Sequence, residues 1–362
     1  MLTTILITAT IIATLLQCYF WLIRFSTSPR ETKKPQPANS TMVSVIICAH
    51  NEASNLVSNL PLILSQSYSP FEVVVVDHGS TDKTKIILQG LKERHSALSI
   101  CYEPYDSPGK RSPLSKGIAA ANGEILLLTD ADCRPASANW ISKMTAPFSC
   151  GFDLVLGIAP FGRDTGFLNS FSRWENFVTM QLYSSEAIRQ RPFMAVGRNL
   201  AYRKHMIQST AKTEDRHIGG DDDLFINQLG KKHRTQVVFD PSAHMLSSSQ
   251  DALRSLAKQK RRHVSTSVEY SWQDQLFLFI FAASAWTQLL AILVLALLGH
   301  FLLAAIMFLV RLLILIIRIR KMPFQASYYK CHLWLPLVDL SYLIYYPMLT
   351  LFLIFQPPKK WN

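Results

Sequence analysis

Residues 124–135 read Glu-Ile-Leu-Leu-Leu-Thr-Asp-Ala-Asp-Cys-Arg-Pro, and this stretch predicts the fold of the chain. A short apolar run at positions 125–128 is followed by two carboxylates one residue apart, Asp130 and Asp132. The run has the length and the flanks of a buried strand. In a parallel α/β sheet, ligands bind beyond the carboxyl ends of the strands. We therefore expect both carboxylates at a binding site.

The spacing of the two carboxylates suits a divalent cation. In an extended segment, residues two positions apart point to the same side, so Asp130 and Asp132 can converge on one ion. Mg²⁺ takes few protein carboxylates and completes its shell with water and phosphate oxygens. The chemical interpretation is a site for a metal ion and a diphosphate. The structural alternative is a polar turn in which Asp132 caps the next helix.

The overall composition indicates a membrane protein. The chain has 362 residues, 49% of them hydrophobic, and a mean hydropathy of +0.15. The formal net charge is +12. Because the basic clusters flank the apolar runs, the charge fits the cytoplasmic side of a membrane protein better than nucleic-acid binding. The six scattered cysteines, without a C-x-x-C pair, argue against a disulfide framework or zinc site and suit a reducing compartment.

The amino-terminal apolar run predicts a membrane anchor. Residues 2–23 carry no charge and are long enough to span a bilayer. A signal peptide is disfavoured because no basic region precedes the run and no small-residue cleavage site follows it. The basic residues that follow, beginning with Arg24, predict that the chain emerges into the cytoplasm. Residues 25–41 contain three prolines among polar residues and are interpreted as a linker.

Three further apolar runs lie near the carboxyl terminus, at positions 276–298, 301–317 and 333–355. Arg311 lies inside the second of them, where charges are rare and usually functional. With the amino-terminal anchor, four full spans would leave Lys360 on the side that the charge rule disfavours. The sequence therefore predicts two to three carboxyl-terminal spans, and in the case of two spans one of the three runs is re-entrant or interfacial.

The region between the apolar ends alternates strands and helices. Strands are predicted at 43–48 and 71–76, and helices at 53–66 and 84–94. Polar residues stand at the carboxyl end of each strand, the layout of a doubly wound nucleotide-binding sheet. The same reasoning predicts further strands at 98–102, 125–128, 153–157 and 237–239. It predicts further helices at 109–122, 167–188 and 224–230.

Several polar residues in this region have both a chemical and a structural interpretation. Asp77 follows the second strand, where it can accept hydrogen bonds from a base or ribose or form an Asx-turn with Gly79. Asp82 is expected to cap the next helix. Lys110 lies near a helix start, where phosphate binding is plausible. Gly197 before polar residues predicts a turn with exposed backbone groups.

Two later stretches complete the set of candidates. The three aspartates at 221–223 stand at a helix start, where capping and the helix dipole favour one or two of them. A carboxylate near an acceptor hydroxyl is also what a general base requires. Residues 253–264 predict a basic amphipathic helix, for which a solvated or lipid-headgroup face is the structural alternative.

Taken together, these motifs resemble those of family 2 glycosyltransferases, which have the GT-A nucleotide-diphospho-sugar transferase fold. Five motifs follow the family's order across residues 43–263. The terminal apolar helices resemble the membrane-bound branch that contains polysaccharide synthases and ceramide glucosyltransferases. The matching stretches are 45–52 (VIICAHNE), 74–82 (VVVDHGSTD), 130–132 (DAD), 219–224 (GGDDDL) and 259–263 (QKRRH).

The resemblance implies a role for each matching residue on the donor side. Glu52 and Asp77 would contact the base and ribose of a nucleotide-diphosphate sugar. Asp130 would lie near the ribose and diphosphate, with Lys110 as a further donor ligand. Asp132 would hold the divalent metal, Mg²⁺ or Mn²⁺.

On the acceptor side, Asp221 would match the aspartate of the family's Glu-Asp pair and act as the general base, with Asp222 as the other possible register. Gln259, Arg262 and His263 would match the Gln-x-x-Arg-Trp motif at the diphosphate and the acceptor.

Three residues depart from the family pattern. His78 replaces a second aspartate after the strand and leaves the details of base recognition open. Gly220 replaces the glutamate of the Glu-Asp pair, which leaves the register between Asp221 and Asp222 open. His263 replaces a tryptophan that offers an aromatic platform to an acceptor sugar, and this disfavours a processive polymerase.

The expectation is a membrane-bound inverting glycosyltransferase whose α/β GT-A domain has a mixed, mainly parallel sheet. Its acceptor is lipid-linked or a glycan, nucleic acid is not a partner, and the catalytic domain is cytoplasmic, at a bacterial inner membrane. The alternatives are a processive polysaccharide synthase and a non-catalytic membrane scaffold. The expected domains are the anchor (1–24), the linker (25–41), the GT-A domain (42–249), a basic interfacial helix with the Gln-x-x-Arg-His motif (250–273) and the membrane region (274–362).

Overall fold

The computed structural model describes residues 2–25, 41–105, 111–208, 222–249, 252–322 and 334–355. These residues form two compact units. The sheet unit comprises the described residues of Pro29–Gly162 and Glu186–Ser249. The helical unit comprises those of Met1–Ser28, Arg163–Ser185 and Gln250–Pro357. Most of the predicted linker, residues 26–40, lies outside the described residues.

The sheet unit contains one mixed seven-stranded sheet with the strand order β3-β2-β1-β4-β7-β6-β8 and a small antiparallel sheet of β5 and β9. In the large sheet, β7 runs antiparallel to both of its neighbours, while the other paired strands are parallel. The strands are β1 (Val43–Ala49), β2 (Phe71–His78), β3 (Leu98–Glu103), β4 (Ile125–Asp130), β5 (Cys133–Pro135), β6 (Leu154–Gly157), β7 (Leu200–Arg203), β8 (Thr235–Val238) and β9 (Met245–Ser247).

Helices flank the strands along the chain and make up most of the helical unit. They are α1 (Leu2–Cys18), α2 (Ala53–Leu64), α3 (Thr84–Arg94), α4 (Arg111–Ala120), α5 (Trp140–Thr145), α6 (Phe167–Ile188), α7 (His205–Gln208), α8 (Asp222–Leu229), α9 (Leu253–Thr266), α10 (Trp272–Leu297), α11 (Phe301–Arg320) and α12 (Leu335–Phe355). A six-residue π-helical segment, Tyr19–Arg24, extends α1.

The central strands are buried on both faces. In β2, Val73, Val74, Val75 and Val76 all have 0% exposure, which is why this segment is a continuous apolar run rather than an alternating one. The same burial in β1 and β4 places one hydrophobic core on each face of the sheet. The mixed, mainly parallel sheet predicted from the sequence is confirmed.

One strand of the large sheet escaped prediction. The sequence predicts a turn at Gly197, before polar Asn199, and a turn is present at Gly197–Asn199. The chain then continues directly into β7, which pairs with both β4 and β6. The expectation of exposed groups in this turn is wrong for Asn199, whose exposure is 1%.

A buried carboxylate fastens the amino end of β4. Glu72 accepts hydrogen bonds from Ser44 Oγ at 2.6 Å, from the Asn122 backbone at 2.6 Å and from Asn122 Nδ2 at 3.1 Å. The Gly123 backbone donates to Ser44 Oγ at 2.7 Å. A Cβ on Gly123 would lie 2.5 Å from the Ser44 nitrogen, so this close approach requires glycine. The loop that enters β4 is therefore held by a satisfied polar network.

A buried amide fastens the carboxyl end of the sheet. Asn199 accepts a hydrogen bond from Trp140 Nε1 at 2.9 Å. Its Nδ2 donates to the carbonyls of Ile158 and Ala243, each at 2.9 Å. A Cβ on Gly157 would lie 2.3 Å from Asn199 Nδ2, so the end of β6 needs a glycine here. Asn199 thus joins segments that are distant in sequence.

The helical unit contains three helices that are long and apolar enough to cross a membrane, Thr4–Arg24, Trp272–Leu297 and Phe301–Arg320. The last predicted run forms α12 (Leu335–Phe355), of which Leu335–Leu351 is described as an apolar helix with its side chains. Among the described residues, two of the three predicted carboxyl-terminal runs therefore meet the length and hydropathy of a span, within the predicted range of two to three.

Arg311 lies in the middle of α11 and is 5% exposed. Its Nε donates to Asp339 Oδ2 at 2.6 Å, and its Nη2 donates to Asp339 Oδ1 at 3.0 Å. Its Nη1 donates to Gln288 Oε1 at 2.9 Å. A bidentate guanidinium–carboxylate pair is the strongest form of such a contact. The charge inside an apolar run is therefore explained by a partner from α12.

The pKa of Glu72 gives the network at β4 a pH dependence. Burial raises this pKa, but hydrogen bonds from Ser44 and Asn122 and the charge of Lys204 outweigh burial and hold it below its ordinary value. A lowered carboxyl pKa contributes stability above the unfolded-state value of about 4.3 and loses it as the pH falls through the folded-state value. We expect Glu72→Gln to lower the free energy of unfolding by about 1–3 kcal/mol at pH 7.

This loss should shrink as the pH falls from about 4.3 through the folded-state pKa, since the wild-type carboxyl then becomes protonated as well. Thermal unfolding of the detergent-solubilised chain at pH 7 and at low pH measures both effects. Glu93→Gln, at an exposed position of α3, is the matched control. A Glu72→Gln deficit that did not change with pH would contradict this account.

The three hydrogen bonds of Asn199 predict a large effect of its removal. Asn199→Ala leaves one buried donor and two buried acceptors without this partner, so we expect a loss of about 2–5 kcal/mol in the free energy of unfolding. Thermal unfolding measures the loss. Asn139→Ala, at an exposed site before α5, should stay within about 0.5 kcal/mol. Equal losses in the free energy of unfolding for the two substitutions would show that the side-chain hydrogen bonds of Asn199 do not stabilise the fold.

Candidate active site

The candidate site stands where β1, β2 and β4 end together. The parallel register pairs Ala49 with Asp77 and Cys48 with Asp130. Asp77 and Asp130 therefore lie on the two sides of β1, with Asp77 one residue further along the register than Asp130. This is the carboxyl edge of the parallel half of the sheet, where ligands of α/β proteins bind.

Asp130 and Asp132 meet the geometric requirement for a shared cation. Ligand atoms of Asp130, Asp132 and Cys133 all lie within 4.8 Å of one another, and both carboxylates are partly exposed. Burial, followed by the two carboxylate charges, raises the pKa of the Cys133 thiol well above its usual range. The thiol donates to Asp132 Oδ1 at 3.2 Å. The donor set is thus two carboxylates, which fits Mg²⁺ or Mn²⁺.

Nearby contacts define the shape of this loop. The Ala131 carbonyl between the two carboxylates accepts a hydrogen bond from Asn59 Nδ2 of α2 at 3.1 Å. The next helix, α5, starts after Asn139. The alternative in which Asp132 caps that helix is therefore wrong, and the carboxylate is left at the surface of the loop.

The guanidinium of Arg198, which the sequence did not single out, lies beside this loop. Cys133 pairs with Ser247 between β5 and β9, and Arg198 Nη1 donates to Ser247 Oγ at 2.6 Å. The guanidinium carbon also lies 4.7 Å from the centre of the Phe161 ring. Arg198 is thus a fixed positive charge close to the two carboxylates. The sequence predicted a turn at Gly197, next to Arg198. It could not predict the contact of Arg198 with Ser247, because that contact depends on the pairing of β5 with β9, which are far apart in sequence.

Aromatic rings cover the ends of β1 and β2. The His50 and Tyr105 rings stack with centroids 4.3 Å apart, and the His78 and Tyr105 rings lie 4.9 Å apart. The His50 Nδ1 donates to the His78 carbonyl at 2.7 Å. His78 Nε2 is buried and has no hydrogen-bond partner among the described residues. The residue that departs from the family pattern therefore presents an unused polar atom at this edge.

Asp77 and Asp82 each accept a backbone hydrogen bond in the loop after β2. Asp77 Oδ1 accepts from the Ser80 backbone at 3.1 Å, three residues on, and not from Gly79 as the predicted Asx-turn would require. Asp82 accepts from the Thr84 backbone at 2.9 Å. Glu52 accepts from Asn55 Nδ2 at 2.6 Å. These contacts shape the loops after β1 and β2, and they leave the proposed nucleotide contacts of Glu52 and Asp77 as predictions.

The acidic stretch at α8 is described only in part. Asp221 lies outside the described residues, as does Lys110. Asp222 starts α8, and its side chain is also outside the description. The third aspartate, Asp223, is 6% exposed and accepts from the Ala195 backbone at 3.3 Å. Asp223 thus binds the backbone of a distant segment, and the assignment of the base to Asp221 or Asp222 stays a prediction.

In the helical unit, α9 carries the Gln-x-x-Arg-His stretch. The side chains of Arg262 and His263 lie outside the described residues. Gln259 Oε1 is buried and has no hydrogen-bond partner among the described residues. Lys260 forms an ion pair with Glu175 of α6. Lys260, next to Gln259 in sequence, therefore binds a carboxylate in the interior of the helical unit.

The Glu175 carboxylate binds Lys260 and two hydroxyl groups. Its side chain is 2% exposed and accepts from Tyr346 at 2.7 Å and from Thr179 at 3.0 Å. Burial raises the pKa of Glu175, but the Lys260 charge and these hydrogen bonds outweigh burial and lower it. The carboxylate stays ionised, so α6, α9 and α12 share one buried charge pair.

Comparison with known proteins agrees with this geometry. Glycosyl transferase family 2 matches residues 44–210. The glycosyltransferase AglE of Haloferax volcanii is 33% identical over 183 residues, 50% of this chain and 58% of AglE. An undecaprenyl-phosphate 4-deoxy-4-formamido-L-arabinose transferase of Pseudomonas paraeruginosa is 25% identical over 191 residues, 51% of this chain and 52% of that protein. The chain spans about half the length of these curated relatives.

A solved structure shows the same fold. The mannosyltransferase PcManGT of Pyrobaculum calidifontis, in complex with GDP-Man and Mn²⁺, has a TM-score of 0.63 and 18% sequence identity. The match covers 95% of this chain and 98% of that one. Residues 44–210 thus match the model of glycosyl transferase family 2, and the likeness to PcManGT shows a GT-A-type fold.

Proposed function

We propose that the chain is a membrane-bound inverting glycosyltransferase that moves a sugar from a nucleoside-diphosphate sugar to a lipid-linked or glycan acceptor. The observation that carries the proposal is the pair Asp130 and Asp132 at the carboxyl edge of β4, inside the family-matched domain. The apolar helices of the helical unit support the membrane location. A cytoplasmic catalytic domain follows from the basic residues after the first helix.

The donor half of the site binds the nucleoside diphosphate. Asp77 and Glu52 hold the base and ribose, and Asp130 lies on the ribose and diphosphate side. Asp132 holds Mg²⁺ or Mn²⁺, which when bound neutralises charge on the departing diphosphate. Lys110 and Arg198 add positive charge to the same group.

The acceptor half of the site removes the proton of the attacking hydroxyl group. Asp221, or Asp222 in the other register, accepts the proton of an acceptor hydroxyl as that oxygen attacks the anomeric carbon. The bond to the diphosphate breaks on the opposite face, so the configuration at that carbon inverts. Gln259, Arg262 and His263 bind the diphosphate and the acceptor. A basic α9 fits an acceptor presented at a membrane surface.

Two relatives support the choice of substrates. PcManGT was solved with GDP-Man and Mn²⁺, a nucleoside-diphosphate sugar and a divalent ion. The Pseudomonas relative is named as an undecaprenyl-phosphate transferase, so its acceptor is a lipid phosphate. A nucleoside-diphosphate hexose and a polyprenyl-phosphate lipid are therefore the first substrates to test.

Turnover by the purified full chain tests the proposal. The chain in lipid nanodiscs is given UDP- and GDP-hexoses, extracted polyprenyl phosphates and Mn²⁺ or Mg²⁺, and nucleoside-diphosphate release is measured. Asp132→Ala should lower turnover by at least about 100-fold, because charge on the leaving group is no longer neutralised. Asp221→Asn should lower turnover by about 10²–10⁴-fold.

Asp164→Asn, at an exposed position outside the site, is the control and should retain turnover. Full turnover in both Asp132→Ala and Asp221→Asn would refute the assigned roles. Loss in Asp222→Asn alone would move the base by one residue. Long products on a gel would indicate a processive synthase, and donor binding without turnover in wild type would indicate a scaffold.

A further inference from the structure

Three possible metal ligands meet at the opposite edge of the sheet. Asp153 directly precedes β6, His205 is the first residue of α7 after β7, and His233 lies two residues before β8. The register pairs Leu154 of β6 with Tyr202 of β7 and also with Thr235 of β8. These pairings bring the three side chains to one place. Because β6 runs in the same direction as β4, this is the amino edge, away from Asp130 and Asp132.

The distances suit a single ion. One ligand atom each from Asp153, His205 and His233 lies within 4.8 Å of the others. Asp153 Oδ2 and His233 Nδ1 are 3.7 Å apart. Ligand bonds of about 2.0–2.2 Å in a tetrahedral site correspond to ligand–ligand separations of about 3.3–3.6 Å. Small side-chain rotations therefore bring all three atoms to bonding distance.

The local charges leave this carboxylate available. Arg203 Nε lies 3.7 Å from Asp153 Oδ1, and the same guanidinium forms an ion pair with Glu124. The positive charge of Arg203 is therefore compensated by a second carboxylate. Asp153 Oδ2, on the other side, accepts one long hydrogen bond from the Arg234 backbone at 3.4 Å. It also faces His233, whose side chain is 20% exposed. Water can reach the site and fill a remaining coordination position.

We propose that Asp153, His205 and His233 bind a divalent transition ion, with zinc as the expected species, at a site separate from Asp130 and Asp132. Two imidazoles and one carboxylate form a ligand set that suits zinc and its neighbours. The oxygen-only pair at the other edge suits Mg²⁺ or Mn²⁺ instead. The two edges of the sheet thus select different metals.

The place of these ligands in the sequence gives the ion a structural role. His205 and His233 stand on either side of the stretch that contains Asp221, Asp222 and α8. One ion bound to both histidines and to Asp153 joins the two ends of that stretch to β6. An ion that binds the folded chain in preference to the unfolded chain raises its stability. The site therefore holds the start of α7 and the residues just before β8 next to β6.

Zinc binding to the metal-free full chain in detergent tests the proposal. Excess Mg²⁺ is added to occupy the carboxylate pair, and ZnCl₂ is titrated by calorimetry. Wild type and Asp132→Ala should each bind one zinc ion per chain and show a higher unfolding temperature with zinc. His205→Ala and His233→Gln should each weaken binding by at least about tenfold, since even outer-shell changes cost that much. His95→Ala is the matched control and should bind as wild type.

Cobalt provides a second readout that does not depend on stability. Co²⁺ bound to wild type should give a visible absorption band that is lost in His233→Gln. The absence of saturable zinc binding in wild type would overturn the proposal. So would binding that is lost in Asp132→Ala but retained in both histidine variants, because the ion would then lie at the carboxylate pair. These outcomes are independent of sugar transfer, which this site does not require.

Discussion

The common register of β1, β2 and β4 is the constraint on which the candidate site depends. Ala49 pairs with Asp77, and Cys48 pairs with Asp130, so the two carboxylates leave the same edge of the sheet one residue apart in register. A slip by one residue would turn every side chain of a strand to the other face. Since these strands are buried on both faces by valine, isoleucine and leucine, packing of the two cores opposes such a slip. Hydrophobic packing thereby positions the polar chemistry at the edge.

Buried polar groups complete what hydrophobic packing begins. A buried donor or acceptor without a partner costs more than a hydrogen bond returns, so each one specifies a geometry. Glu72 holds the entry to β4, and Asn199 holds the turn before β7. In the helical unit, Arg311 and Asp339 satisfy each other in the same way. This buried charge pair joins α11 to α12, which are otherwise mostly apolar.

The sequence predicted the elements better than their pairing. Apolar runs closed by polar residues located β1, β2, β3 and β4, because a strand buried on both faces leaves a continuous apolar signal. The strand β7 was missed because four residues between polar neighbours carry no such signal. The Cys133–Ser247 pair, and with it the position of Arg198, could not be predicted because it depends on contacts between distant segments. Asp130 and Asp132 were predictable because neighbours in sequence stay neighbours in space.

We propose that Asp132 holds the divalent ion through which the site binds a nucleoside diphosphate. The affinity of the full chain for UDP and GDP, with and without Mn²⁺, tests this role in wild type and in Asp132→Ala. We expect Mn²⁺ to strengthen binding of one of these nucleotides to wild type and Asp132→Ala to remove this dependence. Equal binding by both proteins, unchanged by Mn²⁺, would contradict it.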